Sequence, residues 1–387
     1  MLGHARRLRV AVEAGRVSGE AHAFEPLGTD RRDEPDRRKR PRPPRGGGWA
    51  RNHRLVVRAL VPAVIVGIAS NAAAQASGAV QLRVDNDGFD FWRRPWDRPD
   101  GEYTNGVRVA VEAGRAPLWR WLAPKSPPCA DVPESAVRCS SSVVTVGQDM
   151  YTPAEDSQPF TYSGWRDQRP YAGWLYGNIA IRSVRRSTMR SLGLTLGVTG
   201  PPSLADQAQR RAHEMMWRYT ELPVGWNTQI RFEPGLIVSA KQQWLLFSGS
   251  IKGVRLIDAM VNAGASLGNI VTSAEAGGKL RAGINLSHPW RRTRRRGPVE
   301  IVGVVGVRGQ AVARSIFLDG NTIDPDRRVS RVPGVGDVYG SFGMRLGPIV
   351  FAYSVTERTR EYTTGPRSHT FGSLVFGIGG TPDVTQY

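Results

Sequence analysis

Three oxygen-bearing side chains stand side by side at Asp85, Asn86 and Asp87, and the polar run Tyr103–Gly106 follows them. Carboxylate and amide oxygens are the hard ligands that Ca²⁺ prefers in proteins. The same residue types also form ordinary turns, because Asx side chains bond to their own backbone. The residues alone leave both interpretations open.

A titratable base stands in the segment 200–225, where His213 is one of three histidines after residue 76. The segment predicts a short helix that Ser203 caps. Glu214 and Glu221 follow the histidine, and a nearby carboxylate is what a histidine needs to act as a general base. A single histidine is more often a packed or surface residue. We find no nucleophile elbow, no HExxH motif and no phosphate-binding glycine loop, so a hydrolase would use water as its nucleophile.

The elements that must position these residues show a period of two. Apolar residues alternate with small or polar ones over 192–198, 280–286 and 349–355. Such alternation predicts strands with one apolar face, which suits either a soluble sandwich or a membrane barrel.

Composition narrows the class of protein. The chain has 387 residues, a formal charge of +19 and 40% hydrophobic residues, which excludes disorder throughout. An apolar run of about 18 residues or more, which a helical membrane bundle needs, is not found. Only two cysteines are present, which excludes a disulfide scaffold and a cysteine-rich metal site. A soluble globular protein of one to three domains or a membrane barrel remains.

The N-terminal region reads as two segments that precede the fold. Residues 1–50 form a basic, Pro/Arg-rich extension that is either disordered or lies upstream of the true start. Residues 51–76 have the basic, short apolar and small-residue parts of a secretory signal peptide. Residues 77–387 are then the mature protein, and we expect no nucleic-acid partner for the basic run.

The alternation and the signal together predict a twelve-stranded antiparallel transmembrane β-barrel of the bacterial outer membrane, which we expect to be a monomer. Long connections after odd-numbered strands fall on the outer side, as such barrels require. Two gaps disobey: 115–142 is long on the inner side, and 268–269 is short on the outer side. The predicted strands are 79–88, 103–114, 143–151, 173–184, 189–199, 226–241, 254–267, 270–286, 299–311, 336–345, 348–358 and 368–379.

Both cysteines, Cys129 and Cys139, lie in the long inner segment. Because the periplasm is oxidising, we expect them to form a small loop-closing disulfide.

Several motifs in order add a resemblance. They are VDND (Val84–Asp87), YTNGVR (Tyr103–Arg108), GQDMYTP (Gly147–Pro153), RPYAGWLYG (Arg169–Gly177), GPPSLADQAQRRAH (Gly200–His213), GW-x-x-Q (Gly225–Gln229), AGASLGN (Ala263–Asn269), FLDGNT (Phe317–Thr322) and RTREY (Arg358–Tyr362). Together they resemble the outer-membrane lipid A 3′-O-deacylase family. The resemblance implies a twelve-stranded barrel with a calcium-dependent site at its outer end, which removes the 3′-linked acyloxyacyl chain of lipid A.

The resemblance also implies roles for single residues. Asn86 and Asp87 match the pair near the metal and the oxyanion, Thr104 matches the site threonine, and His213 matches the catalytic histidine. Glu221 is the best match for the supporting glutamate, with Glu214 as the fallback. Asp85 stands where the family usually has Glu, and Ala205 where it has Gly.

The implied chemistry is hydrolysis of an ester in lipopolysaccharide. Ca²⁺ on Asp87 polarises the carbonyl, the Asn86 amide bonds to the oxyanion, and His213 activates water. Arginines next to the outer connections either bind lipid A phosphates or are solvated loop charges. A non-catalytic barrel, as a channel or a structural protein, and an outer-membrane phospholipase remain alternatives. The candidate arginines are Arg169, Arg314, Arg358 and Arg360.

Overall fold

The computed structural model describes residues 78–91, 101–113, 126–129, 132, 136–154, 165–216, 225–291, 297–323, 325 and 327–379. The side chains of residues 213–216 are outside this description, as is that of Trp165. The predicted extension 1–50, the predicted signal peptide 51–76 and Glu221 also lie outside the described residues.

Twelve antiparallel strands form one closed barrel, in which each strand pairs with its neighbours in sequence and β1 pairs with β12. The predicted fold class is therefore confirmed. The strands are β1 (Ala79–Asn86), β2 (Glu102–Ala113), β3 (Arg138–Thr152), β4 (Ala172–Arg185), β5 (Thr188–Thr199), β6 (Pro234–Ile251), β7 (Val254–Gly268), β8 (Val271–Ile284), β9 (Val299–Ser315), β10 (Gly334–Leu346), β11 (Ile349–Thr359) and β12 (Ser368–Ile378). Helix α1 (Ala205–Met216) and the single turn α2 (Ile316–Asp319) lie in connections. Among the described residues, no helix is long and apolar enough to cross a bilayer.

The predicted bounds fail most at β6, which was expected over 226–241 but runs from Pro234 to Ile251. Residues Trp226–Thr228 form a 3₁₀ turn instead. The expected connection 242–253 shrinks to the tight turn Lys252–Gly253, where both residues have positive φ. The error has a physical reason, because polar Gln243 does not end the strand but faces the polar inside of the barrel.

The alternation separates two environments. Outward-facing Leu192 is 64% exposed, while Thr195 on the other face of β5 is buried. Exposed apolar side chains also cover the outer faces of β6, β9, β10 and β12, including Leu236, Val305 and Phe342. Soluble monomeric proteins rarely expose an apolar surface of this extent to water, whereas the outer face of a membrane barrel contacts hydrocarbon.

The inner face holds buried ion pairs between neighbouring strands, beside small apolar clusters such as Leu286 with Val302 and Val304. Arg281 bonds Asp258 through two contacts, Nε–Oδ1 at 2.8 Å and Nη2–Oδ2 at 2.6 Å. Arg345 Nε bonds Glu300 Oε2 at 3.1 Å. Each of these groups is almost fully buried. These charged side chains can be buried because each is paired with an opposite charge and hydrogen-bonded to it.

The connections after odd-numbered strands gather at one end, which we call the loop end. They are 87–101, 153–171, 200–233, 269–270, 316–333 and 360–367. The opposite end, the turn end, has tight turns at 186–187, 252–253 and 347–348, with longer connections at 114–137 and 285–298. The two exceptions to the parity pattern therefore persist in the structure with shifted bounds.

The structure joins Cys129 and Cys139 in a disulfide at the turn end, which is the pairing expected from the sequence. Both cysteines are buried in a cluster with Val184 and Met189, and Trp290 packs against it. The Trp290 indole also donates to Gln243 Oε1 at 2.8 Å. Two of the turn-end connections therefore pack together around the disulfide.

Candidate functional site

The loop end of β1 fixes two of the predicted site residues. Asn86 ends the strand, and its Oδ1 accepts a hydrogen bond from Gly88 N at 2.8 Å. Buried Asp87 begins a 3₁₀ turn, and its carboxylate accepts from Gly88 N and from Gly101 N, both at 2.8 Å. Backbone donors from both ends of the 87–101 connection thus orient this carboxylate.

Thr104 lies beside this pair in β2. Its carbonyl oxygen accepts from Asn86 Nδ2 at 3.1 Å, and its hydroxyl lies 2.6 Å from that of Thr152 in β3. The pairing of β2 with β3 shifts register between Tyr103 and Asn105, so Thr104 stands at a β-bulge. A bulge re-aims a side chain, and here it turns Thr104 towards its buried neighbour.

Helix α1 packs against the outside of the barrel wall next to this point. Ala205 joins a buried cluster with Met150, Tyr171 and Trp226, and Ala208 packs against it. Met150 is two residues before Thr152 in β3 and faces the same side of the wall. The helix therefore lies on the outer wall close to the Thr104–Thr152 pair.

The start of α1 is held without the cap that the sequence predicts. Ser203 lies in a 3₁₀ turn before the helix, and its hydroxyl donates to Gly200 O at 2.6 Å. Gln148 Nε2 donates to Ser203 O at 2.5 Å and ties this turn to β3. Gly173 allows the close approach, because a Cβ there would lie 2.1 Å from Ser203 Oγ. Wall contacts, not a serine cap, set where this helix begins.

The predicted catalytic histidine occupies the last turn of α1. Position 213 follows Ala208 by five residues, which is about 7.5 Å of helix. The side chains of His213 and Glu214 lie outside the described part of the chain, as does Glu221. The assignment of the supporting glutamate stays a prediction.

The structure thus brings Asn86, Asp87 and Thr104 together through hydrogen bonds and places the helix of His213 on the neighbouring wall. Asn86 and Met150 face outward in their strands, opposite in direction to Asp85 and Asp149. The arrangement is a site on the outer wall at the loop end, not inside the barrel. Oxygen donors for a cation lie at Asp87 and Asn86.

A buried charge cluster behind this site was missed from the sequence. Arg169 Nη1 bonds Glu102 Oε2 at 2.9 Å and Glu361 Oε2 at 3.1 Å. The Tyr362 hydroxyl donates to Glu102 Oε1 at 2.6 Å, and His369 Nε2 lies 3.7 Å from Glu361 Oε2. Ligand atoms of Glu102, Glu361 and His369 all lie within 4.8 Å of one another. Glu361 and Tyr362 belong to the RTREY motif, which was the available signal.

The cluster shifts the titration of its loop members. Burial alone would raise the pKa of Glu361, but the guanidiniums of Arg169 and Arg358 lower it below the usual value. Burial and the neighbouring Glu102 carboxylate raise the pKa of Tyr362. Both groups therefore keep the protonation states that their hydrogen bonds need at neutral pH.

This position corrects the expectation for Arg169 as a phosphate-binding residue. Its side chain is 1% exposed and already lies between two carboxylates, so no phosphate reaches it in this arrangement. Its contacts tie the connection 360–367 to Glu102, which directly follows the Gly101 whose N–H bonds Asp87. A charged residue next to a loop is solvated or buried according to its partners, which sequence position does not reveal.

The other three candidate arginines contact protein groups in different places. Arg358 Nε bonds Asp337 Oδ1 at 2.8 Å at the barrel lumen. Arg314 Nε donates to Asn269 O at 2.7 Å, and Arg360 Nη1 lies 3.4 Å from its acceptor, Thr363 O. Phosphate binding by these three side chains stays a prediction.

The sequence contains one Gly-x-Ser-x-Gly run, Gly264–Gly268. It lies within β7, where Ser266 pairs with Ser239 and Ser273 in the sheet. A nucleophile elbow requires a sharp strand-to-helix turn, so this serine has the wrong context for such chemistry.

Comparisons with known proteins agree with this architecture. The sequence profile of the family described as outer membrane protein LpxR matches residues 55–379. The solved structure of LpxR from Salmonella typhimurium aligns with a TM-score of 0.63 at 18% identity, covering 78% of this chain and 100% of that chain. The β domain of the Bordetella autotransporter BrkA covers 78% of this chain and 98% of its own, with 10% identity and a TM-score of 0.39. No curated protein sequence is significantly similar to this chain.

Proposed function

Because this chain belongs to the LpxR family of outer membrane proteins, we propose that it is a lipid A 3′-O-deacylase acting at the loop end of the barrel. Family membership places the protein in the bacterial outer membrane. The reaction is hydrolysis of the ester that joins the 3′-linked acyloxyacyl chain to lipid A. Water supplies the hydroxyl of the released fatty acid, and the sugar oxygen leaves with a proton.

One observation carries the proposal. Hydrogen bonds hold Asn86, Asp87 and Thr104 at one point of the outer wall, and α1, with position 213 in its last turn, packs on the adjacent strands. A site on the outer wall faces the lipid itself, which is where an ester of a membrane glycolipid lies. A lumenal site would be separated from such a substrate by the barrel.

Asp87 and Asn86 fit the calcium ion that the family resemblance implies. Carboxylate and amide oxygens are hard ligands that Ca²⁺ prefers, and the buried Asp87 carboxylate lies next to the Asn86 amide. Oδ1 and Oδ2 of Asp87 accept hydrogen bonds from Gly88 N and Gly101 N, which fix the orientation of the carboxylate. When bound there, Ca²⁺ supplies a Lewis acid for the ester carbonyl.

The protein's own residues do the rest of the proposed chemistry. His213 accepts a proton from the attacking water, and Glu221 orients the imidazole and stabilises its charged form. The Asn86 amide already donates to Thr104 O, so its orientation is fixed before substrate arrives. A fixed donor of this kind costs no reorganisation when charge develops on the ester oxygen.

Mass spectrometry of lipid A, from cells that produce the protein and from cells that do not, tests the proposal. We expect loss of the 3′-linked acyloxyacyl chain only with the active protein. Release of fatty acid from glycerophospholipid vesicles instead would identify a phospholipase. Unchanged lipids in both assays would favour a non-catalytic barrel.

The mechanism has a separate test in variants. His213→Ala and Asp87→Ala should each lower the deacylation rate by at least about 10²-fold in a folded barrel, and a chelator should reproduce the Asp87 effect. Glu221→Gln and Glu214→Gln are a matched pair, and only the first should lower the rate strongly. A near-original rate in His213→Ala would show that the mechanism is wrong even if lipid A is the substrate. Monomeric state and signal cleavage stay predictions.

A further inference from the structure

An open groove runs beside α1 on the outer wall at the loop end. It has a volume of about 550 Å³ and lies between the helix and the segment 225–232. Asp206 and Arg210 line it from the helix, and Arg231 and Phe232 line it from the segment. None of these residues has a role in the reaction described above.

The groove combines exposed positive charge with exposed apolar surface. The Arg210 side chain is 55% exposed, and its contact to Asp206 is loose, with 3.8 Å between Nη2 and Oδ2. Arg231 is also exposed, and Phe232 next to it is 56% exposed. Exposed ion pairs at such a distance are weak, so Arg210 can exchange the carboxylate for a stronger partner. A guanidinium binds phosphate through two parallel hydrogen bonds.

An apolar strip continues from the groove down the wall. Leu196 pairs with Leu236 in the register of β5 and β6, and Leu192 pairs with Ala240 further from the loop end. At that level a second depression of about 910 Å³ opens between apolar side chains of β4 to β7, Ile179 and Leu192 among them. Arg210 and Arg231 therefore lie in the connection between β5 and β6, the two strands that carry this apolar strip.

We infer that this groove and strip bind the phosphorylated end and an acyl chain of the lipid A substrate, in the order in which an outer-leaflet glycolipid presents them. The inference rests on the proposed function. Positions 206, 210 and 213 are spaced i, i+4 and i+7, so they share one face of α1. A headgroup held at Arg210 lies one helical turn from the position of the catalytic base.

Steady-state kinetics on the full-length protein with lipid A in mixed micelles test the inference. Arg210→Glu should raise KM about tenfold or more with kcat nearly unchanged, because it removes a charge-assisted contact to the headgroup that does not change as the ester reacts. Arg211→Glu makes the same charge change at an exposed neighbour on another face of the helix and should leave KM unchanged. Asp206→Asn should lower KM, because it frees Arg210 and removes a repelling carboxylate.

A binding measurement separates this inference from the proposed reaction. In an Asp87→Ala background, we expect binding to micelles of phosphorylated lipid A to be about tenfold or more weaker in Arg210→Glu and unchanged in Arg211→Glu. Equal binding of enzymatically dephosphorylated lipid A would overturn the phosphate assignment. Equal binding of anionic glycerophospholipid vesicles would overturn the assignment to lipid A. If the protein binds through Arg210 but does not deacylate, the proposed function fails and the groove stands.

Discussion

Replacing Arg169 with Met tests whether the buried cluster positions Asp87, the calcium ligand that we propose. The guanidinium lies 2.9 Å from a Glu102 oxygen and 3.1 Å from a Glu361 oxygen, and it is 1% exposed. Methionine fills a similar volume without charge. The variant therefore leaves two carboxylates close together in a buried place without the cation between them.

The size of the effect follows from this burial. Removing one partner of a buried ion pair costs about 3–5 kcal/mol, because the remaining charge is uncompensated. The protein can instead take up a proton, and protonating a carboxyl group of ordinary pKa at pH 7 costs about 3.7 kcal/mol. Both routes therefore cost about 3–5 kcal/mol of folding free energy. We expect this loss of stability at the loop end and, through displacement of Gly101 and Asp87, a fall in rate of about 10²-fold.

The sign of the pH dependence distinguishes this mechanism from a simple packing defect. In the unmutated protein the pKa of Glu361 is lowered, so its contribution to stability is present above the pKa of the unfolded chain and is lost as pH falls. Without Arg169 that pKa rises, and acid supplies the missing proton. The deficit of Arg169→Met should therefore be larger at pH 8 than at pH 5.

The assay is thermal unfolding followed by circular dichroism, together with deacylation rates from pH 5 to pH 8. Arg166→Met, an exposed change in the same connection, is the matched control and should behave as the unmutated protein. Adding Glu102→Gln to Arg169→Met should recover most of the stability, because Glu102 loses its guanidinium partner whereas Glu361 keeps Arg358 at 3.6 Å. A pH-independent deficit, or no recovery in the double variant, would refute the reasoning.

Three further outcomes are expected. Thr104→Val should lower the deacylation rate at least about tenfold, which rate measurements check. Thr152→Val should lower the free energy of unfolding by only about 1 kcal/mol, the usual value of one hydrogen bond, which unfolding measurements check. Reducing the Cys129–Cys139 disulfide, which closes an 11-residue ring, should destabilise the folded form of this segment by about 3 kcal/mol. Limited proteolysis should then cleave the turn end and leave the barrel intact. Arg281→Met should lower the free energy of unfolding by about 3–5 kcal/mol without changing KM, because its buried carboxylate partner lies far from the loop end.

Strand number and order followed from the sequence because a barrel wall sorts its residues strictly by face. In β5, Leu192 and Leu196 face the membrane side and Thr195 faces the lumen, so the sequence of this strand alternates with a period of two. The predicted end of β6 at residue 241 was wrong, because the strand continues through inward-facing Gln243 to Ile251. Strand ends depend on where the hydrogen-bonded neighbour ends, and that is a property of the sheet.

The residues of the site were largely accessible from their motifs, because Asn86, Asp87 and Thr104 lie in short local runs that the resemblance covers. The structure adds that Asn86 faces outward and that α1 packs on the outer face of the neighbouring strands. Local geometry decides which side of a strand a side chain takes once one neighbour's side is known.

What the sequence by itself determined is therefore the wall: its twelve strands, their order and their two faces. Only the tertiary structure decided what the charges do. Arg169 meets Glu102 and Glu361, which are 67 and 192 residues away along the chain, and closure of the barrel brings them together. The residue type alone does not tell whether an arginine is solvated, binds a lipid or is buried between carboxylates. Its role is set by the dielectric and the partners around it, and these exist only once the barrel has closed.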